Sequence, residues 1–122
     1  MAKARKAVPD GFHTVTPHLT LEDSAKAIDW YKAALGAEED GPRAVTPDGK
    51  ILHAELRIGN SRIMLHDAMM GGKGPKELGG CPASFWVFVE DCDAVFNRAV
   101  AAGARVYPGP MGAMADQFWG DR

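Results

Sequence analysis

The chain opens with a stretch in which apolar and polar residues alternate. Residues 12–21 (FHTVTPHLTL) have a period of two, which predicts a β-strand with Val15, Leu19 and Leu21 on its apolar side. Pro17 lies within this stretch and has no N–H to donate to a neighbouring strand. The strand is therefore predicted to lie at an edge of its sheet or at a junction between modules.

The residues that follow predict a helix and then further strands. Asp23 or Ser24 can cap a helix whose apolar residues recur at helical spacing, and Gly36 supplies the left-handed stop. Residues 38–50 (EEDGPRAVTPDGK) predict a short strand and a Pro-Asp-Gly turn. Residues 50–59 and 61–68 then predict two strands joined by a tight turn.

A second stretch repeats this plan. Residues 83–90 (ASFWVFVE) predict a strand, and a helix follows from Asp91 to Gly103, so that the two acidic caps lie 68 positions apart. Either two amphipathic helices resemble each other by chance, or a half-domain has been duplicated; the repeated Glu-Asp and Gly-Ala pairs favour duplication. The predicted divisions are a tail (1–11), a first module (12–67), a Gly- and Pro-rich linker (68–82) and a second module (83–122).

Composition narrows the class of protein. The 122 residues suffice for one domain, and 14 Lys and Arg against 16 Asp and Glu give a net charge of −2, which predicts no nucleic-acid surface. No apolar run is long enough to predict a membrane span. Cys81 and Cys92 form no metal or disulfide motif and are interpreted as reduced thiols of a cytoplasmic protein.

Four motifs resemble one known family. TPHLTLEDSAKAIDWYKAALGAEE, HAELRIGNSRIMLHD, VEDCDAVFNRAVAAGARV and QFWGDR are similar to the vicinal oxygen chelate superfamily, which includes glyoxalases, bleomycin-resistance proteins and extradiol dioxygenases, and within it to PhnB-type proteins. The resemblance implies an α+β fold of paired βαβββ modules, whose curved sheet forms a cup with the helices outside. It also implies a small-molecule ligand in the cup and a homodimer. By this comparison the second module is incomplete at Arg122, so that either a longer chain or a partner would complete it.

The resemblance also implies where a divalent metal would bind. The usual ligands of the superfamily are His or Glu, and three of their four positions map to Thr16, Met64 and Ser84; the fourth lies beyond Arg122. Hydroxyl and thioether groups are poor ligands for a catalytic divalent ion. The usual metal site is therefore expected to be absent, and no cofactor is expected.

A different set of residues offers an alternative metal site. Strand alternation places His53 and Glu55 on the face away from the helices, together with His66 on the next strand and His18 on the first. If these four groups converge, they suit Zn²⁺, Ni²⁺ or Mn²⁺. Alternation alone also produces rows of separate polar residues, which is the other interpretation.

Aromatic and polar residues on the same face predict a ligand pocket. Small-molecule sites combine apolar walls with a few polar groups. The same aromatic side chains would alternatively fill the cup or cover a dimer interface. The predicted ligand-binding residues are Thr16, His18, Met64, Ser84, Trp86, Phe88 and Trp119.

Two functions follow from these predictions. The first is a protein that binds a small, partly aromatic molecule without the usual metal. The alternative is a metal-dependent lyase or isomerase of the glyoxalase or epimerase type, in which Glu55 moves a proton.

Overall fold

The structure is a computed structural model that describes residues 6–108 and 114–115. The first half holds most of the regular structure, and the second half contributes two helices. The elements are β1 (His18–Leu21), α1 (Ser24–Leu35), β2 (Glu38–Glu39), β3 (Ala44–Val45), β4 (Ile51–Ile58), β5 (Ser61–Asp67), α2 (Pro75–Leu78) and α3 (Cys92–Ala101).

The five strands form one curved, unclosed sheet. Their order is β1-β5-β4-β2, and β3 pairs with β4 beside β2. Strand β1 runs parallel to β5, whereas β4 is antiparallel to β5, β2 and β3. The first half of the chain thus has one short strand more than the predicted βαβββ module, since both β2 and β3 lie between α1 and β4, and the α+β fold class is confirmed.

The hydrophobic core lies between α1 and one face of the sheet. Ile28 on α1 packs with Leu56 on β4 and Leu65 on β5, and all three side chains are fully buried. Burying a side chain of this size stabilises the fold by roughly 1.5–3 kcal/mol. Because the core occupies this face, the opposite face of the sheet is left for polar residues.

The first strand is shorter than its sequence pattern predicts. Strand β1 begins at His18, and Val15, expected on the apolar side, is 83% exposed. Pro17 supplies only its carbonyl, which accepts from the N–H of Met64 at 2.9 Å. Strand β1 lies at the edge of the sheet, as the proline predicts.

The alternation of β4 is also interrupted near its start. Continued alternation from His53 and Glu55 would turn Leu52 toward the helices, but Leu52 is 43% exposed and Ile51 is buried in its place with 2% exposure. The pairing of β3 with β4 shifts register between Ala44 and Val45. Such an irregularity reverses the side-chain direction of the residues before it. The alternation between the two faces of the sheet along residues 53–58 therefore does not extend to Leu52.

Both helix caps occur where the sequence predicts them. A carboxylate oxygen of Asp23 accepts from the N–H of Lys26, and one of Asp91 accepts from Ala94, each at 3.0 Å. Gly36 ends α1 in the left-handed conformation with φ of 66°, which a glycine adopts without steric cost. The helices therefore begin and end for reasons that are local to the sequence.

Asp67 ties the first helix to the sheet. It is the last residue of β5, and its two carboxylate oxygens accept from the N–H groups of Ser24 and Ile51, each at 2.7 Å. The carboxyl group is nearly buried. Burial by itself raises its pKa, but the two N–H donors, the Ser24 hydroxyl and the charge of Lys50 together outweigh that effect and hold the pKa below its usual value.

The second half of the chain departs from the predicted repeat. The strand predicted over residues 83–90 is not paired into a sheet within the described part of the chain. Helix α3 instead packs directly on α1, where the guanidinium of Arg98 donates to the carbonyl oxygens of Ala33 (2.6 Å) and Lys32 (3.1 Å). The predicted linker, residues 68–82, contains α2. No helix among the described residues is long and apolar enough to cross a membrane.

Candidate functional site

The face of the sheet opposite α1 carries two rows of side chains. The pairing of β1 with β5 and of β4 with β5 aligns His18, Met64 and Glu55 in one row. In the next row Thr20 lies opposite His66, and continuing the β4–β5 register by one residue places His53 across from His66. Strand alternation thus brings three of the four histidines of the chain to one face, as predicted.

The three imidazoles on this face, His18, His53 and His66, form a histidine cluster. The ring centroids of His18 and His66 are 4.6 Å apart with an interplanar angle of 36°. Those of His18 and His53 are 6.2 Å apart at 63°, an edge-on arrangement. The backbone register and the ring contacts therefore place these three histidines near one another on one face of the sheet.

Two polar residues hold rings of the cluster in place. Thr20 Oγ1 and His66 Nε2 are hydrogen-bonded at 2.8 Å, and Glu55 Oε1 and His53 Nε2 are 3.0 Å apart. Glu55, predicted as the proton-transferring residue, therefore contacts an imidazole directly. A carboxylate at this distance fixes the orientation of the ring that it contacts.

The environment of the cluster favours a neutral His18. Burial lowers the pKa of His18, and the neighbouring His66 and His53 lower it further by electrostatic repulsion. A histidine with a lowered pKa is neutral at pH 7 and offers a nitrogen lone pair to a proton, a hydrogen-bond donor or a metal ion.

The positions to which the resemblance maps the usual metal ligands carry groups that bind a divalent ion poorly. Thr16 lies before β1, and its hydroxyl donates to the carbonyl oxygen of His13 at 3.3 Å. Met64 offers a thioether on the polar face, and Ser84 is exposed. Hydroxyl and thioether groups are not the imidazole or carboxylate donors that such an ion requires. Within residues 6–108 and 114–115, no group of three or more His, Cys, Asp or Glu side chains is arranged so that it could hold a metal ion.

An arginine lies next to the polar rows and is not apparent from the sequence. The guanidinium of Arg62 forms an ion pair with Asp40 and lies 5.3 Å from the ring centroid of Phe12, a cation–π contact. Phe12 is brought there by a turn in which its N–H donates to the carbonyl of Pro9 at 3.1 Å. These residues are far apart in sequence, and only the pairing of β2 and the path of the N-terminal segment bring them together.

A large cavity lies at the hairpin end of the sheet, separate from the histidine cluster. Its volume is about 770 Å³. One wall consists of residues 58–63 of the β4–β5 hairpin and another of residues 85–89; residues 13 and 15–17, Leu35 on α1 and Val95 on α3 complete the lining. The cavity is therefore bounded by both halves of the chain.

The predicted ligand-binding residues divide between these two places. Thr16, Trp86 and Phe88 line the cavity, and the two aromatic side chains are 72% and 79% exposed. His18 and Met64 belong to the polar rows of the sheet. Ser84 is outside the cavity lining, and Trp119 lies outside the described residues. The single lined cup expected from the sequence is thus two separate surfaces in the structure.

Two mycobacterial proteins are similar in sequence to this chain. The uncharacterized protein Mb0911c of Mycobacterium bovis (strain ATCC BAA-935 / AF2122/97) is 47% identical over 113 residues, covering 88% of this chain and 71% of that protein. The uncharacterized protein Rv0887c of Mycobacterium tuberculosis (strain ATCC 25618 / H37Rv) is also 47% identical over 113 residues. The chain spans 64% of the length of the second relative.

Two solved structures share the fold. The product of the Arabidopsis thaliana gene At5g48480 superposes with a TM-score of 0.64 at 23% identity, over 82% of this chain and 80% of that one. TioX from Micromonospora sp. ML1 superposes with a TM-score of 0.53 at 25% identity, over 82% and 81%. Both comparisons support the same curved-sheet architecture.

The sequence profile of one family covers nearly the whole chain. It matches residues 11–120, which include the sheet, the polar rows and the segment that lines the cavity. The chain belongs to the Glyoxalase/Bleomycin resistance protein/Dioxygenase superfamily.

Proposed function

We propose that this protein binds a small, partly aromatic molecule in the cavity at the hairpin end of the sheet. The observation that carries the proposal is the cavity itself, with its volume of about 770 Å³. Pockets for small organic ligands have volumes of roughly 300–1,000 Å³. A ligand with one or two rings fits this volume.

The lining combines apolar walls with a few polar groups. Phe85, Val87 and Ile58 provide apolar surface, and Trp86 and Phe88 provide aromatic faces for stacking. Asn60, Ser61 and Arg62 provide polar groups in and beside the β4–β5 turn, and His13 and Thr16 provide others from the segment before β1. This division favours a ligand whose ring packs on residues 85–89 and whose polar substituent meets the hairpin.

We propose that this binding does not use the usual metal of the superfamily. The three mapped positions carry a hydroxyl, a thioether and a second hydroxyl, at Thr16, Met64 and Ser84. A protein that binds its ligand by burial and stacking does not need a Lewis acid at those positions.

We also propose a subfamily, a cellular location and an oligomeric state for this protein. We place the chain with PhnB-type proteins, which the HAELRIG run of β4 supports, and we propose a cytoplasmic homodimer. Light scattering of the purified chain measures its mass in solution. A mass of twice the chain supports the dimer, and a monomer at the same concentrations contradicts it.

Fluorescence titration with 1-anilinonaphthalene-8-sulfonate tests the cavity. The probe is aromatic and carries one anionic group, so its ring is expected to pack near Trp86 and Phe88, with its sulfonate toward Arg62. We expect saturable binding of one probe per chain. Trp86→Ala and Phe88→Ala should each weaken binding about tenfold, since loss of an aromatic contact together with its buried area costs about 1.4 kcal/mol.

Tyr107→Ala is the matched control for these variants. Tyr107 is an aromatic residue with 80% exposure in the same half of the chain, and it does not line the cavity. The probe should bind this variant as tightly as the unmodified chain. Equal weakening by all three substitutions, or non-saturable binding, would contradict a ligand role for the cavity.

A further inference from the structure

The lining of the cavity at the hairpin end of the sheet has an uneven distribution of charge. Among the described residues that line it, Arg62 is the one Lys or Arg, and none is Asp or Glu. A guanidinium group is not deprotonated in proteins. The described wall of the cavity therefore offers a fixed positive charge and no carboxylate.

Arg62 has a defined place beside the cavity. It is the second residue of β5, directly after the β4–β5 turn, and its cross-strand partner on β4 is Arg57. Its side chain is 21% exposed, so most of its surface is covered by protein. Side chains that strands support hold their position better than side chains on loops.

Three groups outside the cavity lining hold the guanidinium of Arg62. Asp40 forms an ion pair with its Nη1 atom, and the centroid of the Phe12 ring lies 5.3 Å from its central carbon. The backbone of Gly11 also passes close, since a Cβ added to this glycine would lie 2.7 Å from Nη2. Arg62 lines the cavity, whereas Asp40, Phe12 and Gly11 do not. The guanidinium is thus fixed by contacts on which the cavity does not depend.

We infer that the cavity selects aromatic carboxylic acids, with the carboxylate bound by Arg62 and the ring packed on Trp86 and Phe88. This inference rests on the proposed function and adds the chemical class of its ligand. Carboxylic acids have pKa values of about 4, so such a ligand is an anion at pH 7. It has a charge at one end and an apolar ring at the other, and the lining has the same division.

The guanidinium has N–H groups left for a ligand. It carries five N–H donors in a planar fork that matches the geometry of a carboxylate. Among the described residues, Asp40 is the one carboxylate paired with Arg62, and it pairs through Nη1. Nε and Nη2 form another edge of the fork, and a carboxylate can accept from both at once. Gly11 has no side chain that would occupy the space beside Nη2.

Neighbouring groups set the strength of the expected preference. The carboxylate of Asp40 offsets part of the charge of Arg62 while it holds the guanidinium in place. Asn60 and Ser61 line the cavity next to Arg62 in sequence and carry neutral donors. Hydrogen bonds to a charged group are stronger than those between neutral groups. We therefore expect an acid to bind about tenfold more tightly than a neutral molecule of the same shape.

Calorimetric titration of the complete chain with two matched ligands tests the inference. 2-Naphthoate and 2-naphthamide have the same rings and nearly the same size, but only 2-naphthoate is an anion. The unmodified chain should bind 2-naphthoate about tenfold more tightly than 2-naphthamide. Arg62→Gln should weaken the binding of 2-naphthoate about tenfold and leave that of 2-naphthamide nearly unchanged.

Arg57→Gln is the matched control. Arg57 is the cross-strand partner of Arg62, forms an ion pair with Glu38 and does not line the cavity. Both ligands should bind this variant as tightly as they bind the unmodified chain. Far-ultraviolet circular dichroism verifies that each variant is folded.

The outcomes separate this inference from the binding function on which it rests. If the unmodified chain binds both ligands equally and Trp86→Ala weakens both, the cavity proposal stands and the carboxylate preference is overturned. If Arg62→Gln weakens both ligands equally, Arg62 supports the cavity wall and does not bind the carboxylate, which also overturns the inference. If neither ligand binds the unmodified chain, the cavity proposal fails and this inference fails with it.

Discussion

Replacing Asp67 by asparagine should destabilise the fold by removing one of two buried acceptors. The carboxylate receives the N–H of Ser24 on one oxygen and that of Ile51 on the other. An asparagine side chain has one oxygen acceptor, and its amide group would face the second N–H as another donor. Asp67→Asn therefore leaves one buried N–H without a partner while its volume remains nearly the same.

The magnitude follows from the loss of this hydrogen bond. A buried donor left unpaired costs about 1–3 kcal/mol, and the remaining hydrogen bond loses the advantage of a charged acceptor. The expected loss is about 3 kcal/mol of unfolding free energy. The unfolding free energy of a domain of this size is about 5–15 kcal/mol in total. A loss of about 3 kcal/mol should lower the melting temperature by about 10 °C.

The pH dependence supplies a second, independent measurement. The pKa of Asp67 is lower in the folded chain than its usual value, so this group stabilises the fold when the carboxyl is ionised. Its contribution is complete above the unfolded pKa of about 3.9 and is lost as the pH falls through the lower folded pKa. The stability difference between the unmodified chain and Asp67→Asn should stay constant from about pH 7 to 5 and narrow below about pH 4.

Urea denaturation followed by circular dichroism measures both effects. The control is Asp10→Asn, because Asp10 is an exposed aspartate that pairs with the nearby Lys6 at the surface. Its urea midpoint should match that of the unmodified chain at pH 7. If Asp67→Asn unfolds at the same urea concentration as this control, the two hydrogen bonds to the Asp67 carboxylate do not stabilise the fold.

Two further substitutions probe the packing of the two halves and of the core. Arg98→Ala removes the donors to the carbonyl oxygens of Ala33 and Lys32. The unfolding free energy should fall by about 1 kcal/mol. Hydrogen exchange at the end of α1, measured by mass spectrometry, should increase. An unchanged exchange rate there would show that Arg98 does not hold α3 on α1. Leu56→Ala creates a cavity at a fully buried position and should lower the unfolding free energy, measured by urea denaturation, by about 2–5 kcal/mol. Val15 is exposed, so Val15→Ala should leave the unfolding free energy nearly unchanged.

Local structure could be predicted from the sequence where neighbouring residues determine it. Asp23 and Asp91 cap their helices as predicted, and Gly36 ends α1 in the left-handed conformation. Each of these features depends on residues within one turn of a helix. The edge position of β1 was equally predictable, because Pro17 has no N–H to donate.

The candidate site was predictable only in part. Alternation along β4 and β5 correctly placed His53, Glu55 and His66 on the polar face, since successive side chains of a strand point to opposite sides. The same rule failed at Leu52, where an irregular pairing with β3 reverses the direction. A pattern of period two contains no information about where a partner strand shifts register.

Tertiary structure alone decided the remaining features. The apolar run of residues 83–90 has the composition of a strand, yet sheet membership depends on a partner with free N–H and C=O groups, and the described residues do not pair it. The contact of Arg62 with Asp40 and Phe12, and the cavity between the hairpin and residues 85–89, depend on how distant segments meet. Sequence determined the local geometry of the helices and strands because that geometry is set by adjacent residues. The sites between them required the three-dimensional packing, because side chains distant in sequence interact only after the strands have paired.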